Sequence, residues 1–291
     1  MGDFYAIMTA FCWSSAVILF DVSSKNFEPL HLNLIKNLIG VFGFVLTLLL
    51  LSIPLPIFTG ADLITLSVSG LLGILLGDLF FLESLKKLGS SLVAVVGTIY
   101  VPSILILSYC MFGEIITMQS YIGAILVIMG ITFSFYKMPN AVQSKQILYG
   151  VIFGILANLL TAYSVLMVKP IMQHNSVVVV AFYRFGIGLI ACMLLAILKS
   201  GYKVFFRTLK LGLRDKYVIL GSLMGTYLSV ILWLAGYKYT IAGRAAIYNQ
   251  LSTVLIVFWA RIFLKDPIDK RKLVGVGLAI TGALIVSAVK L

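Results

Sequence analysis

Ten apolar runs, each about as long as a bilayer is thick, constrain this chain more than any other feature. A helix needs roughly 20 mostly apolar residues to cross a hydrocarbon core. The runs fall at about 4–20, 30–52, 62–85, 90–112, 118–137, 147–168, 176–198, 215–237, 241–263 and 271–289. Hydrophobic residues make up 61% of the chain and charged residues 11%, where a soluble domain has about half and about a quarter. The expected fold is an all-α integral membrane protein with ten transmembrane helices. The net charge of +12 would suggest nucleic acid in a soluble protein. Here Lys and Arg in short loops serve orientation, so the expected partners are a lipid bilayer and no nucleic acid. The N-terminus lacks the basic stretch of a cleavable signal, and its first run is long enough to span.

The links are short except at 137–146, where Pro139, Asn140 and Ser144 break the pattern, and at 199–216, which is basic. The first of these divides the chain into halves, 1–137 and 147–291, of five runs each. The halves resemble each other. Tyr5 pairs with Tyr149 and Lys25 with Lys169 at an offset of 144 residues. Gly40 pairs with Gly188 and Lys36 with Arg184 at 148, and Gly73, Gly123 and Gly130 pair with Gly225, Gly275 and Gly282 at 152. A five-helix repeat has an odd number of spans, so its copies enter the membrane in opposite senses. The expectation is two inverted five-helix repeats sharing one core, with a solute site near the midplane between them. Basic residues crowd the links after runs one, three, five, seven and nine. By the positive-inside rule those links are cytoplasmic and both termini lie outside the cell membrane.

Ionisable groups at membrane depth face a partner or a cavity. Asp78 sits within the third run and is a candidate proton or substrate-amine site, or else a structural carboxylate. Lys36 and Arg184 stand about two turns into their runs. Each can recognise an anionic group such as a carboxylate, or reach back to the interface. Polar and aromatic residues gather on runs one, six, eight and nine: Trp13, Ser14, Ser15, Asn158, Tyr163, Ser164, Tyr227, Ser229, Trp233, Ser252, Thr253 and the consecutive Tyr248, Asn249 and Gln250. Three consecutive residues cover about 200° of a helix, so at least one of the last group faces protein or water. Tyr100 completes the cavity candidates. Pro102 is placed to kink the fourth run; its counterpart, Val254, lacks that constraint, so the two copies are not equivalent in this respect.

No nucleotide-binding GxxxxGK[ST], HExxH or GxSxG occurs, so neither an ATP-driven motor nor an intramembrane hydrolase is expected. Cys12, Cys110, Cys192, His31 and His174 lack metal-ligand or disulfide spacing, so neither metal nor cofactor is expected.

Several phrases carry a family resemblance. GDLFFLESLKKLGSS leads into IYVP and then FGE at Phe112–Glu114, followed by YIGAILVIMGI; the second half has LWLAGYKYTIAGRAAIYNQLSTV, FLKDP and LVGVGLAITGALIV. The sequence resembles the EamA-like members of the drug/metabolite transporter superfamily over nearly its whole length. It departs from them at Lys265-Asp266, where the family usually has a Gly-Glu pair. The resemblance implies export or exchange of small metabolites, often amino acids, by alternating access, with a cavity lined by runs one, three, four, six, eight and nine. The expected function is secondary-active transport without enzymatic chemistry, by a monomer or homodimer, with proton coupling through Asp78 as one hypothesis. The alternatives are a transporter of phosphorylated sugars, which needs several converging cations, and a non-transporting scaffold or sensor.

Overall fold

The computed structural model describes residues 2–113, 118–135, 141–239, 245, 248–266 and 270–287. Glu114, Arg244 (a third cation open to the phosphorylated-sugar alternative) and residues 137–140 lie outside them. Among the described residues every regular element is helical. The elements are α1 (Gly2–Ser24), α2 (Pro29–Leu50), α3 (Gly60–Ser69), α4 (Asp78–Gly97), α5 (Tyr100–Phe112), α6 (Met118–Phe135), α7 (Ala141–His174), α8 (Val177–Gly212), α9 (Lys216–Ser222), α10 (Ser229–Tyr239), α11 (Leu251–Phe263) and α12 (Lys270–Ser287). Wider π-helical turns at Gly70–Gly77 and Leu223–Leu228 join α3 to α4 and α9 to α10.

Among the described residues six helical stretches are long and apolar enough to cross a membrane: Gly2–Ser24, Pro29–Leu50, Gly60–Gly97, Lys145–His174, Val177–Gly212 and Lys216–Tyr239. Four shorter apolar helices accompany them. The chain is a multi-pass membrane protein. Large apolar side chains such as Phe42, Leu49, Leu50, Ile125, Leu194 and Leu198 remain exposed, which in lipid is the unstrained arrangement.

The two halves interleave. The helix α1 packs on α9, α10 and α11, while α7 packs on α3, α4 and α5; α2 lies along α8, and α6 along α12. Close approach depends on glycine, as expected where helices associate in lipid by tight packing. The contacts come in matched pairs. Gly40 faces Thr226 and Gly188 faces Ile74; Gly130 faces Ala279 and Gly282 faces Val127.

Two chain reversals need a left-handed backbone. Gly113 ends α5 at φ 69°, and Lys265, its partner at the offset of 152, takes φ 56° just after α11. Glycine adopts this conformation without a Cβ clash. The departure from Gly-Glu to Lys265-Asp266 therefore changes the residue but not the backbone geometry.

The α6–α12 contact yields a test. A Cβ at Gly130 would stand 2.5 Å from the backbone nitrogen of Ala279 and 2.6 Å from the carbonyl of Gly275. Gly277 on α12 has nothing within 4 Å. Gly130→Ala should lower stability by about 1–3 kcal/mol, and Gly277→Ala should leave it unchanged or raise it by up to about 1 kcal/mol. Thermal unfolding in detergent distinguishes the two.

Candidate functional site

Both π-helical turns sit at the centre of the molecule, one in each half. In such a turn the backbone bonds skip one residue further than in an α-helix, which widens the helix and loosens its carbonyls. In the first turn the side chain of Asn33, fully buried on α2, donates to the carbonyls of Ile74 at 3.0 Å and Leu75 at 3.2 Å. This cross-helix clamp fixes the orientation in which the chain leaves the turn at Asp78.

Beyond each π turn the chain meets a second irregularity. In α4 the helix breaks at Gly89, whose φ of 74° and ψ of 168° are non-helical. Asp21 of α1 caps the restarted helix, accepting from the Ser90 amide at 2.9 Å and from its hydroxyl at 2.6 Å. A further turn at residues 98–99 separates α4 from α5, three residues before Pro102. In the second half Gln250 forms a turn immediately before α11. Thr98 and Gln250 are partners at the offset of 152. Pro102 follows the first turn and Val254 the second, so both stretches turn at this level and only the first has a proline beside it.

The π turns and the interruptions surround a cavity of about 210 Å³. That is roughly the volume of seven liquid waters. Its wall includes Trp13 of α1, Asp78 and Phe81 of α4, Tyr100 of α5, Asn158, Thr161 and Ser164 of α7, Arg184 of α8, Trp233 of α10, and Asn249, Gln250 and Thr253 around the second interruption. The Trp13 ring lies 5.3 Å from that of Phe81. On the far side Trp233 packs on Tyr237, whose hydroxyl donates to that of Tyr100 at 3.2 Å.

Three ionised side chains govern the site's electrostatics. Lys36 and Asp78 form an ion pair at 2.5 Å, and Lys36 also donates to Asn37 Oδ1 at 3.0 Å. Lys36 is buried behind the cavity wall while Asp78 faces the cavity. Arg184 is 1% exposed. Its Nη2 donates to Ser164 Oγ at 3.1 Å, but its Nε and Nη1 have no partner. Leaving a buried charged donor unmatched costs more than the ~1–3 kcal/mol of a neutral group. With Lys36 and Asp78 cancelling, Arg184 leaves the site one unit positive among the described residues. Asn249 Oδ1 is also buried without a partner, so residues of the cavity wall carry unmatched donors and an unmatched acceptor.

Of the residues singled out from the sequence, Trp13, Asp78, Tyr100, Asn158, Ser164, Arg184, Ser229, Trp233, Asn249, Gln250, Ser252 and Thr253 line the cavity. Six sit elsewhere. Ser15 donates to the carbonyl of Phe11 at 3.0 Å. Lys36 stands behind Asp78. Ser14 is buried and donates to the carbonyl of Phe11 at 2.9 Å. The Tyr227 hydroxyl bonds that of Thr47 at 2.6 Å, with its ring against Phe44. Tyr163 is 37% exposed, and Tyr248 packs half-buried against the apolar core. Thr9, Phe81 and Thr161 line the cavity without having been singled out. Helical spacing would have found both threonines: Thr9 is one turn before Trp13, and Thr161 falls between Asn158 and Ser164 on one face.

Comparison with known proteins then identifies the chain. Residues 1–136 and 148–288 match the EamA-like transporter family. The chain belongs to that family. This EamA-like protein is 23% identical over 283 residues to an uncharacterized transporter of Archaeoglobus fulgidus, covering 96% of this chain and 95% of that one. It is 31% identical over 109 residues to the uncharacterized transporter YyaM of Bacillus subtilis, covering 36% of this chain and 33% of that one. A protein of known crystal structure shares the fold at a TM-score of 0.68 and 14% identity, covering 98% of this chain and 95% of that one. The chain is accordingly a membrane transporter.

In this EamA-like transporter the Lys36–Asp78 pair should behave as a unit. Lys36→Met leaves a carboxylate unpaired at membrane depth and should destabilise by about 3 kcal/mol. The double variant Lys36→Met/Asp78→Leu should recover most of that loss. Unfolding midpoints in detergent read both, and additive losses would contradict the coupling.

Proposed function

We propose that the chain is a secondary-active transporter that exports or exchanges small carboxylated metabolites, amino acids among them, by alternating access. Arg184 is the observation that carries this reading: a fully buried guanidinium on the cavity wall with two donor groups unmatched. A solute carboxylate supplies a charged acceptor that this guanidinium lacks and neutralises the site's excess charge. Asn249 and Asp78 offer acceptors for an amine at the other end of such a solute. Trp13, Tyr100, Asn158, Trp233 and Gln250 supply the rest of the proposed binding surface. The phosphorylated-sugar alternative is less favoured, because Lys36 is already engaged by Asp78 and Arg184 is left as the uncompensated cation among the described residues. A scaffold would have no use for an internal cavity with unmatched donors.

The architecture we propose is ten spans in two inverted five-helix repeats, 1–137 and 147–291, with both termini outside the cell membrane. Support comes from the matched glycine contacts, the paired π turns and the paired helix interruptions. Irregular backbone of this kind is tolerated at membrane depth where it borders protein or a cavity. These are also the places where α4–α5 and α10–α11 can bend to open one side or the other. Proton coupling would run through Asp78, the carboxylate that faces the cavity.

Two variants test this. Arg184→Gln should weaken binding of carboxylated solutes at least about tenfold and leave neutral or cationic analogues unchanged in a thermal-shift titration. Equal losses for both classes would assign Arg184 a structural role. Asp78→Asn should abolish the pH dependence of transport in proteoliposomes; unchanged pH dependence would rule out coupling through this group.

A further inference from the structure

The break at Gly201, with φ 76° and ψ 161°, divides α8 into a membrane-crossing portion and a terminal amphipathic helix over 202–212. The inner face of that helix is docked. Phe205 is 3% exposed and packs with Leu30 and Leu34 of α2. Gly212 is buried against Ile35, the residue before Lys36. Leu209 is half-buried against the core, and the outer faces are exposed. Tyr202, Phe206 and Leu213 follow one another at helical spacing and are 65%, 48% and 42% exposed. Beside them Lys203, Arg207, Lys210 and Arg214 recur at the same spacing and are exposed too. A shallow groove lined by Phe206, Leu209, Lys210, Leu213 and Arg214 runs between the two stripes. The nearby acid, Asp215, is occupied in capping α9, accepting from the amides of Tyr217 and Val218 at 2.8 and 3.1 Å.

We infer that this helix is a binding site for anionic phospholipid. It follows directly from a membrane-crossing helix, so its apolar stripe meets acyl chains while its basic stripe lies at headgroup level, the geometry of an interfacial helix. Four cations without a free acid beside them complement an anionic headgroup. Attraction of this kind accumulates with each basic residue and fades within a Debye length. The groove joins the two stripes, so one lipid engages both: phosphate at Lys210 and Arg214, acyl chain along Phe206 and Leu213. Bound lipid would hold the helix against α2.

The test uses purified full-length protein in a neutral detergent, titrated with phosphatidylglycerol or phosphatidylcholine and read by native mass spectrometry. Wild type should retain phosphatidylglycerol in preference to phosphatidylcholine. The variant K203Q/R207Q/K210Q/R214Q should need at least about tenfold more phosphatidylglycerol for the same retention. The control K86Q/K87Q, which removes two exposed cations elsewhere, should match wild type. Should the fourfold variant fail to fold, K210Q/R214Q removes the groove's two cations and should weaken retention in the same direction. Retention of phosphatidylglycerol by the folded variants at wild-type levels would overturn the proposal. So would equal retention of both lipids by wild type, or displacement of bound phosphatidylglycerol by equimolar glycerol 3-phosphate, which would assign the site to soluble phosphate.

Discussion

A charge cannot stand alone at membrane depth, and the centre of this molecule is arranged around that constraint. Asp78 is held by Lys36, and Lys36 is held in turn by Asn37. The π turn that delivers Asp78 is clamped by Asn33, one helical turn along the same face of α2. A single buried face of α2 thus fixes both the carboxylate and the backbone that presents it. Arg184 is the exception to the rule of pairing. Its one bond to Ser164 leaves most of its donor capacity unmatched, and the proposed anion site rests on that imbalance.

A repeated frame carries this asymmetric chemistry. Gly73 and Gly225 lie in corresponding π turns, Thr98 and Gln250 at corresponding interruptions, and Gly113 and Lys265 at corresponding left-handed reversals. The side chains on that frame differ. Lys36 finds a carboxylate across the helix pair. For Arg184, its counterpart, the equivalent of Asp78 is Val230, and no acid is available there. One cation is therefore neutralised and the other is not. Backbone irregularities at corresponding positions border the cavity, and the side chains beside them differ.

Much of this was legible in the sequence, and the remainder has physical causes. Apolar length marked the chain as helical and membrane-spanning, because the bilayer imposes a minimum length on every crossing helix. The recurrence of Gly40 at Gly188 and Gly130 at Gly282 marked positions that turned out to be close helix contacts. The π turns left no trace, since GLLGILLG is as compatible with an ordinary helix as with a widened one. Proline drew attention to one interruption and hid the other, which is made by Gln250 without any helix-breaking residue. The Lys36–Asp78 pair joins residues 42 positions apart, and such a separation carries no periodic signal. The role of Asp21 as the cap of Ser90 depends on a break at Gly89 that only the fold reveals.

The central claim is that the cavity around Arg184 is a solute site exposed in turn to the two sides of the membrane. Counterflow in proteoliposomes tests it most directly. Vesicles containing the wild-type protein are loaded with an unlabelled amino acid and assayed for entry of its labelled form, beside the matching decarboxylated amine. The account predicts saturable exchange of the carboxylated solute and little or none of the amine. Absence of saturable exchange across carboxylated metabolites, or equal exchange of the amine, would contradict it.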